Sequence, residues 1–366
     1  MTARRWERAI DHHGEEVPAF AGDYFAREDR SVLLIAGGGF DPRSTHVARL
    51  LSGALGQRLH GLLLREERPI TEGRLAALAD RNVEALHELV PSRDVAGVHV
   101  FAGDDAVIGG RAAVEVVKGV PLDGRTDVVV DVSALSIGVS FPVVRHLLER
   151  ITGQHRAVNL HVIASANAEI DDVIVPVGSE AFDTVHGFRG KWKLHDTEEA
   201  AKLWLPQLAT GQRDALRKIH SQIAPDETAP ILPFPARRPR RGDDLLDEYH
   251  VEMLSAWDVD PRNIVYADEN NPLDLYRTVL RIDDARQPVF EEVGGALLFL
   301  SPTGNKVLAI GAMMAAMERN FPVAYVEAAG YEADAAALER LAQPEGSLVH
   351  VWLHGEAYAA AAAALP

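Results

Sequence analysis

Three short segments combine glycine, hydroxyl and charged residues at the spacing that lets a backbone corner grip an anion. The first is Gly37-Gly38-Gly39-Phe40-Asp41-Pro42-Arg43-Ser44. Glycines turn tightly and leave N–H groups open to a phosphate. Arg43 would add a bidentate, charge-assisted contact. The alternative is a tight turn with Asp41, Ser44 or Thr45 capping the next helix. The second is Asp131-Val132-Ser133-Ala134-Leu135-Ser136-Ile137-Gly138. Here Asp131 would orient a ribose hydroxyl and Ser133 and Ser136 would bond a polar ligand, unless Ser136 or Ser140 only caps a helix. The third is Ser301-Pro302-Thr303-Gly304-Asn305-Lys306, where backbone N–H groups, a hydroxyl and an ammonium converge at a helix start. Lys306 as a plain surface lysine is the alternative there.

Corners matter only if strands and helices place them. The apolar runs 32–36, 59–64, 98–101, 128–130 and 160–164 read as strands, with helical spacing over 45–55, 71–89 and 139–151 between them. Runs apolar on both faces that alternate with helices predict a parallel sheet covered on both sides. A second alternation follows, with strands at 263–267, 296–300, 323–326 and 348–353 and helices at 243–257, 271–283, 306–319 and 334–341. The expected fold is therefore α/β, with two Rossmann-like halves of mainly parallel sheets flanked by helices, the pattern an ancient duplication would leave. Its parts are an N-terminal arm or cap (1–30), a first domain (31–165), a helical and loop insertion with a linker (166–242) and a second domain (243–366). Within the insertion, 172–177 reads as a hairpin and 198–208 and 212–223 as helices. Ligands of such sheets bind beyond the carboxyl ends of the strands, where the strand order reverses. All three corners stand at strand ends.

Composition limits the partners. The chain has 366 residues, no cysteine and a formal net charge of -17. Disulfides, thiolate metal sites and thiol catalysis are excluded. A duplex-DNA face needs positive charge, so none is expected. No apolar run is long enough to span a membrane, and the charged start lacks a signal core, which suits a cytoplasmic protein. One basic cluster stands out, with Arg237, Arg238, Arg240 and Arg241 between 229 and 242. It reads either as a phosphate clamp or as a solvated linker whose arginines pair with Asp243, Asp244 and Asp247. Asp268-Glu269 reads as a helix start more than a Mg²⁺ site. The loop 186–195, with His186, Trp192 and His195, reads as solvated rather than as a base-stacking face. Asp11-His12-His13 carries no assigned role.

Two families share pieces of these corners. Gly38-Gly39-Phe40-Asp41-Pro42 is similar to the opening of the nucleotidyltransferase motif, but Ser44 and Val47 stand where its catalytic histidines belong and His46 is out of register. Asp131-x-Ser133 and the segment from Ser301 to Lys306 resemble the signatures of the CARF/SAVED group of Rossmann-like sensors of prokaryotic antiviral systems, with Ile137 at the basic position and the second signature one residue short. That resemblance implies recognition of a nucleotide or cyclic oligonucleotide and signalling through a protein effector. It names no cofactor and allows a homodimer. Two other readings stay open. One is a metal-dependent hydrolase or phosphoryl transferase on a nucleotide, using Asp131, Asp268, Glu269 and Lys306. The other is a scaffold subunit whose corners are helix caps.

Overall fold

The computed structural model describes residues 4–155, 157–192, 200–342 and 347–358. The chain forms strands β1 (Ile10–His13), β2 (Val32–Gly37), β3 (Leu59–Glu67), β4 (Ser92–His99), β5 (Asp127–Asp131), β6 (Asn159–Ala166), β7 (Ile174–Thr184), β8 (Ala201–Pro206), β9 (Glu227–Thr228), β10 (Ile231–Pro233), β11 (Val265–Ala267), β12 (Ala296–Ser301), β13 (Ala324–Ala333) and β14 (Ser347–His354). The helices are α1 (Glu16–Phe20), α2 (His46–Leu55), α3 (Gly73–Leu89), α4 (Gly109–Lys118), α5 (Ile137–Gln154), α6 (Ala168–Val173), α7 (Arg213–Ile223), α8 (Arg241–Val251), α9 (Pro272–Phe290), α10 (Lys306–Arg319) and α11 (Ala335–Leu341). No described helix is long and apolar enough to cross a membrane.

The chain divides into two compact units. An outer unit holds Arg8–Val173 and Ala333–Pro366, and an inserted unit holds Ile174–Glu332 with Met1–Glu7. This division falls elsewhere than the expected boundaries at 165 and 243. The reason is β14, which leaves the second alternation and pairs antiparallel with β6. The N-terminal segment is no loose arm. Its β1 pairs with β14, and Ala21, Tyr24 and Phe25 are buried in the outer core.

In the outer unit the sheet order is β1-β14-β6-β5-β2-β3-β4. The five strands from β6 to β4 are mutually parallel. Counted in chain order from β2, they read 3-2-1-4-5 across the sheet, so the order reverses between β2 and β5. That is the switch point of a doubly wound sheet. Strand β2 is buried along its whole length, as its two-sided apolar run requires.

The inserted unit repeats this logic. Within the segment read as a helix over 198–208, residues 201–206 are instead β8, a central strand between β12 and β9, while 198 and 199 lie outside the described residues. Leu203, Trp204 and Leu205 are all buried, so the run is apolar on both faces rather than helical in period. The presumed linker contains β10, paired parallel with β11. Single parallel bridges, Gln207 to Ile231 and Leu300 to Val323, extend the order to β11-β10-β8-β12 and on to the start of β13. The predicted hairpin at 172–177 is the end of α6 and the start of β7.

Helices α9 and α10 of this unit pack tightly at Gly311. A Cβ there would collide with the Pro272 carbonyl oxygen and stand 3.2 Å from Leu275 Cβ. Gly311→Ala is therefore expected to destabilise the inserted unit by about 1–3 kcal/mol, the cost of overpacking. That outweighs the roughly 1 kcal/mol of helix propensity it gains. Urea unfolding checks the sign.

Candidate functional site

The expected corners of the outer unit stand at the carboxyl ends of β2 and β5, on either side of its switch point. Strand β2 delivers Gly37, where an added Cβ would lie 3.0 Å from the Ala134 carbonyl oxygen and 3.1 Å from Leu135 Cδ2. A glycine is needed for the two corners to touch. The Gly38 N–H is used up, donating to Leu64 O at 2.8 Å. A Cβ on Gly39 would meet nothing within 4 Å. Asn82 from α3 ties this loop down, with Nδ2 donating to the carbonyls of Gly39 (2.9 Å) and Asp41 (3.2 Å).

Arg43 points inward, not out toward an anion. It is 2% exposed. Its Nε and Nη2 donate to Asp41 at 3.0 and 2.7 Å, and Nη1 donates to Asp171 of α6 at 2.7 Å. Burial alone would favour loss of its charge, but the Asp171 and Asp41 carboxylates outweigh that and raise its pKa. The anion contact expected of Arg43 would have to displace one of these carboxylates. Asp41 also accepts the Arg43 N–H at 2.9 Å, capping a short 3-10 turn, Pro42–Thr45.

The β5 corner is built on Asp131. Its Oδ1 accepts from Ser133 N (2.9 Å) and Ser133 Oγ (2.5 Å). Its Oδ2 is buried without a hydrogen-bond partner. Burial pushes the carboxyl up to about 7, helped by Asp41 and opposed by the Ser133 bonds and Arg43. Ser133 Oγ in turn accepts from Ser165 N at 2.8 Å, and Ser165 Oγ bonds His46 Nδ1 at 2.9 Å. Ser136 N donates to Glu66 Oε1 of β3 at 2.7 Å, and Glu66 pairs with Arg68 at 2.5 Å. Ser136 occupies the cap position of α5, yet its hydroxyl caps nothing. Ser44 likewise makes no side-chain cap. Ser44 Oγ, Asp131 Oδ2 and Ser136 Oγ are thus three buried polar atoms without hydrogen-bond partners at the ends of two adjacent strands. Glu66 and Asp171 were not singled out from sequence, and His46 only as a histidine out of register, since they come from three further elements.

The third corner lies at the equivalent reversal of the inserted unit, between β8 and β12, and most of it is structural. Ser301 Oγ accepts from Trp204 Nε1 and donates to Ala324 O, both at 2.9 Å. Thr303 Oγ1 donates to Gln207 O at 2.5 Å. Gly304 has φ +85, and a Cβ there would collide with Ala209 Cβ. Asn305 Oδ1 caps α10, accepting from Val307 N and Leu308 N at 2.7 and 3.1 Å, and Lys306 is that helix's first residue. The unsatisfied atom here is Gln207 Oε1. Reading 198–208 as a helix hid it.

The remaining candidates scatter. Arg238 pairs with Asp244 at 2.8 Å, as the solvated-linker reading expects, and Arg237 N donates to Glu269 Oε2 at 2.8 Å. Asp268 and Asn271 serve the turn before α9, accepting from Asn270 N and from Leu273 N and Asp274 N. Asp131 therefore lies in one unit and Asp268 and Glu269 in the other. Among the described residues, no group of three or more His, Asp or Glu is placed to hold a metal ion. Trp192 packs edge-on against Phe182 and Phe299. His195 lies outside the described residues.

No protein-family profile matches the chain, and no curated protein matches it. Among solved structures it is similar to the cytoplasmic domain of a prokaryotic cation chloride cotransporter, at 11% identity over 85% of this chain and 99% of that one, with a TM-score of 0.23. A score that low transfers neither fold nor function.

Proposed function

We propose that this protein is a nucleotide-binding sensor whose ligand enters the β2/β5 corner of the outer unit. One observation carries the reading: Ser44 Oγ, Asp131 Oδ2 and Ser136 Oγ are buried there with no partner. Each unsatisfied hydroxyl costs about 1–3 kcal/mol, and a bound ligand would recover that cost. Two hydroxyls and a near-neutral carboxyl suit the hydroxyls of a ribose or the edge of a base better than a bare phosphate. The atoms are closed off from solvent, so a ligand reaches them only if the loop at 38–45 opens, breaking the Asn82 bonds to Gly39 and Asp41. A ligand that favours the opened arrangement shifts the population, which is what a sensor requires. The resemblance of the Asp131 and Ser301–Lys306 corners to antiviral sensors supports placing it in a prokaryotic defence system, acting through a partner effector.

The test is a thermal-shift panel of adenosine, AMP, ATP, NAD and a cyclic oligoadenylate. At roughly 100 times its dissociation constant, a ligand adds about 2.7 kcal/mol. The shift should vanish in Ser136→Ala and survive in Lys306→Ala. No shift with any compound would sink the reading. A shift lost in Lys306→Ala alone would move the site to the inserted unit.

A further inference from the structure

We propose that His12, His350, His161 and Asp127 form a directional proton relay across the outer unit, carrying a proton from solvent at His12 to the buried carboxylate of Asp127. The relay lies at the opposite end of β5 from Asp131 and does not depend on the ligand reading. The side chains come from four neighbouring strands, β1, β14, β6 and β5. His12 Nδ1 is 2.9 Å from His350 Nδ1, His350 Nε2 is 2.9 Å from His161 Nδ1, and His161 Nε2 is 3.1 Å from Asp127 Oδ1. His161, His350 and Asp127 are fully buried, and His12 is partly exposed. Phe20 stacks on both His12 and His350, and Trp352 lies against His161, so water is kept from the middle of the row.

The bonding fixes every tautomer. Asp127 also accepts from Tyr24 OH at 2.9 Å and Thr126 Oγ1 at 2.6 Å, a set of donors that fits an ionised carboxylate. A carboxylate only accepts, so His161 Nε2 carries the hydrogen. His161 Nδ1 must then accept from His350 Nε2–H, and His350 Nδ1 must accept from His12 Nδ1–H. All three rings point their hydrogens toward Asp127, and the lone pair of His12 Nε2 is left at the outer end. Burial also disfavours charge on His350 and His161, which keeps both rings neutral at rest.

A proton arriving at His12 Nε2 releases the Nδ1 proton to His350 Nδ1. His350 passes its Nε2 proton to His161 Nδ1, and His161 passes its Nε2 proton to Asp127 Oδ1. One proton enters, no ring keeps a charge, and the carboxylate becomes a neutral acid only transiently, because the bonds from His161, Thr126 and Tyr24 outweigh burial and hold its pKa below the ordinary value. The groups around the row set its bias. Burial opposes a proton on His12, as do His13, paired with Asp11 at 2.7 Å, and His161, while Glu16 on α1 and Asp11 on β1 favour one, and the balance lowers its pKa. At the inner end Arg30 lies 3.8 Å from Asp127 and pairs with Glu356 at 2.5 Å, while Tyr24 OH reaches both carboxylates. Neutralising Asp127 therefore removes one anion from the Arg30 and Tyr24 cluster.

Imidazole ¹⁵N spectroscopy on the full chain tests this. At pH 8 the wild type should show hydrogen on His12 Nδ1, His350 Nε2 and His161 Nε2. Exchange of the His161 Nε2 hydrogen with water should slow at least tenfold in His12→Gln, because the outer port is lost. A reversed tautomer at His350 or His161 in the wild type would overturn the relay without any variant. So would an exchange rate unchanged in a folded His12→Gln.

Discussion

Replacing Arg43 with methionine should cost the outer unit about 3–5 kcal/mol at pH 7, the usual loss when one member of a buried ion pair is removed. The methionine fills similar volume, so the loss is electrostatic. It takes the guanidinium away from Asp41 and Asp171, which hold it at 2.7 Å from two sides. Neither can reach water easily, because their side chains are each only 11% exposed. Urea unfolding at pH 7 reads this directly. A loss under about 1 kcal/mol at pH 7 would mean that the triad is a weak surface-type pair.

Asp131→Asn should remove a pH dependence that runs opposite to ordinary acid unfolding. The folded protein holds this carboxyl at about 7, against an ordinary value of 3.8. Folding therefore raises its proton affinity. Its stabilising contribution is complete below about pH 4 and is lost as pH rises through about 7. Three pH units correspond to about 4 kcal/mol at about 1.36 kcal/mol per unit. Subtracting the variant's stability from the wild type's between pH 4 and 8 isolates this contribution, and the difference should fall steadily with rising pH. A flat difference would show that Asp131 is ionised in the fold. Asp127, on the same strand, is the counterexample. Burial pushes it up too, but the His161, Thr126 and Tyr24 bonds outweigh that and hold it below its ordinary value.

The alternation of strands and helices was legible because buried parallel strands are apolar on both faces, as Val128, Val129 and Val130 are. The corners at Gly37–Ser44 and Asp131–Ser136 were legible because each follows such a run. What escaped was pairing between distant residues. Arg43 meets Asp171 across 128 positions, and His12 meets His350 across 338. Neither leaves a local pattern. Strand β8 escaped for a different reason. Its short run, Leu203-Trp204-Leu205, follows Glu198-Glu199-Ala200-Ala201, whose residues favour helix. The same segment hid Gln207, and with it the pairing that makes Ser301 to Asn305 largely self-satisfied.

The most direct measurement is the stability of Ser44→Ala/Ser136→Ala, with and without the compound that gives the largest shift in the wild type. Removing two buried hydroxyls that bond nothing should leave the ligand-free protein at least as stable, by up to about 1–3 kcal/mol per site. The same change should abolish the ligand shift. That outcome means the corner is kept unsatisfied for a ligand. A double variant that is less stable than the wild type, or that keeps the full shift, would contradict the account and leave the corner a packing feature.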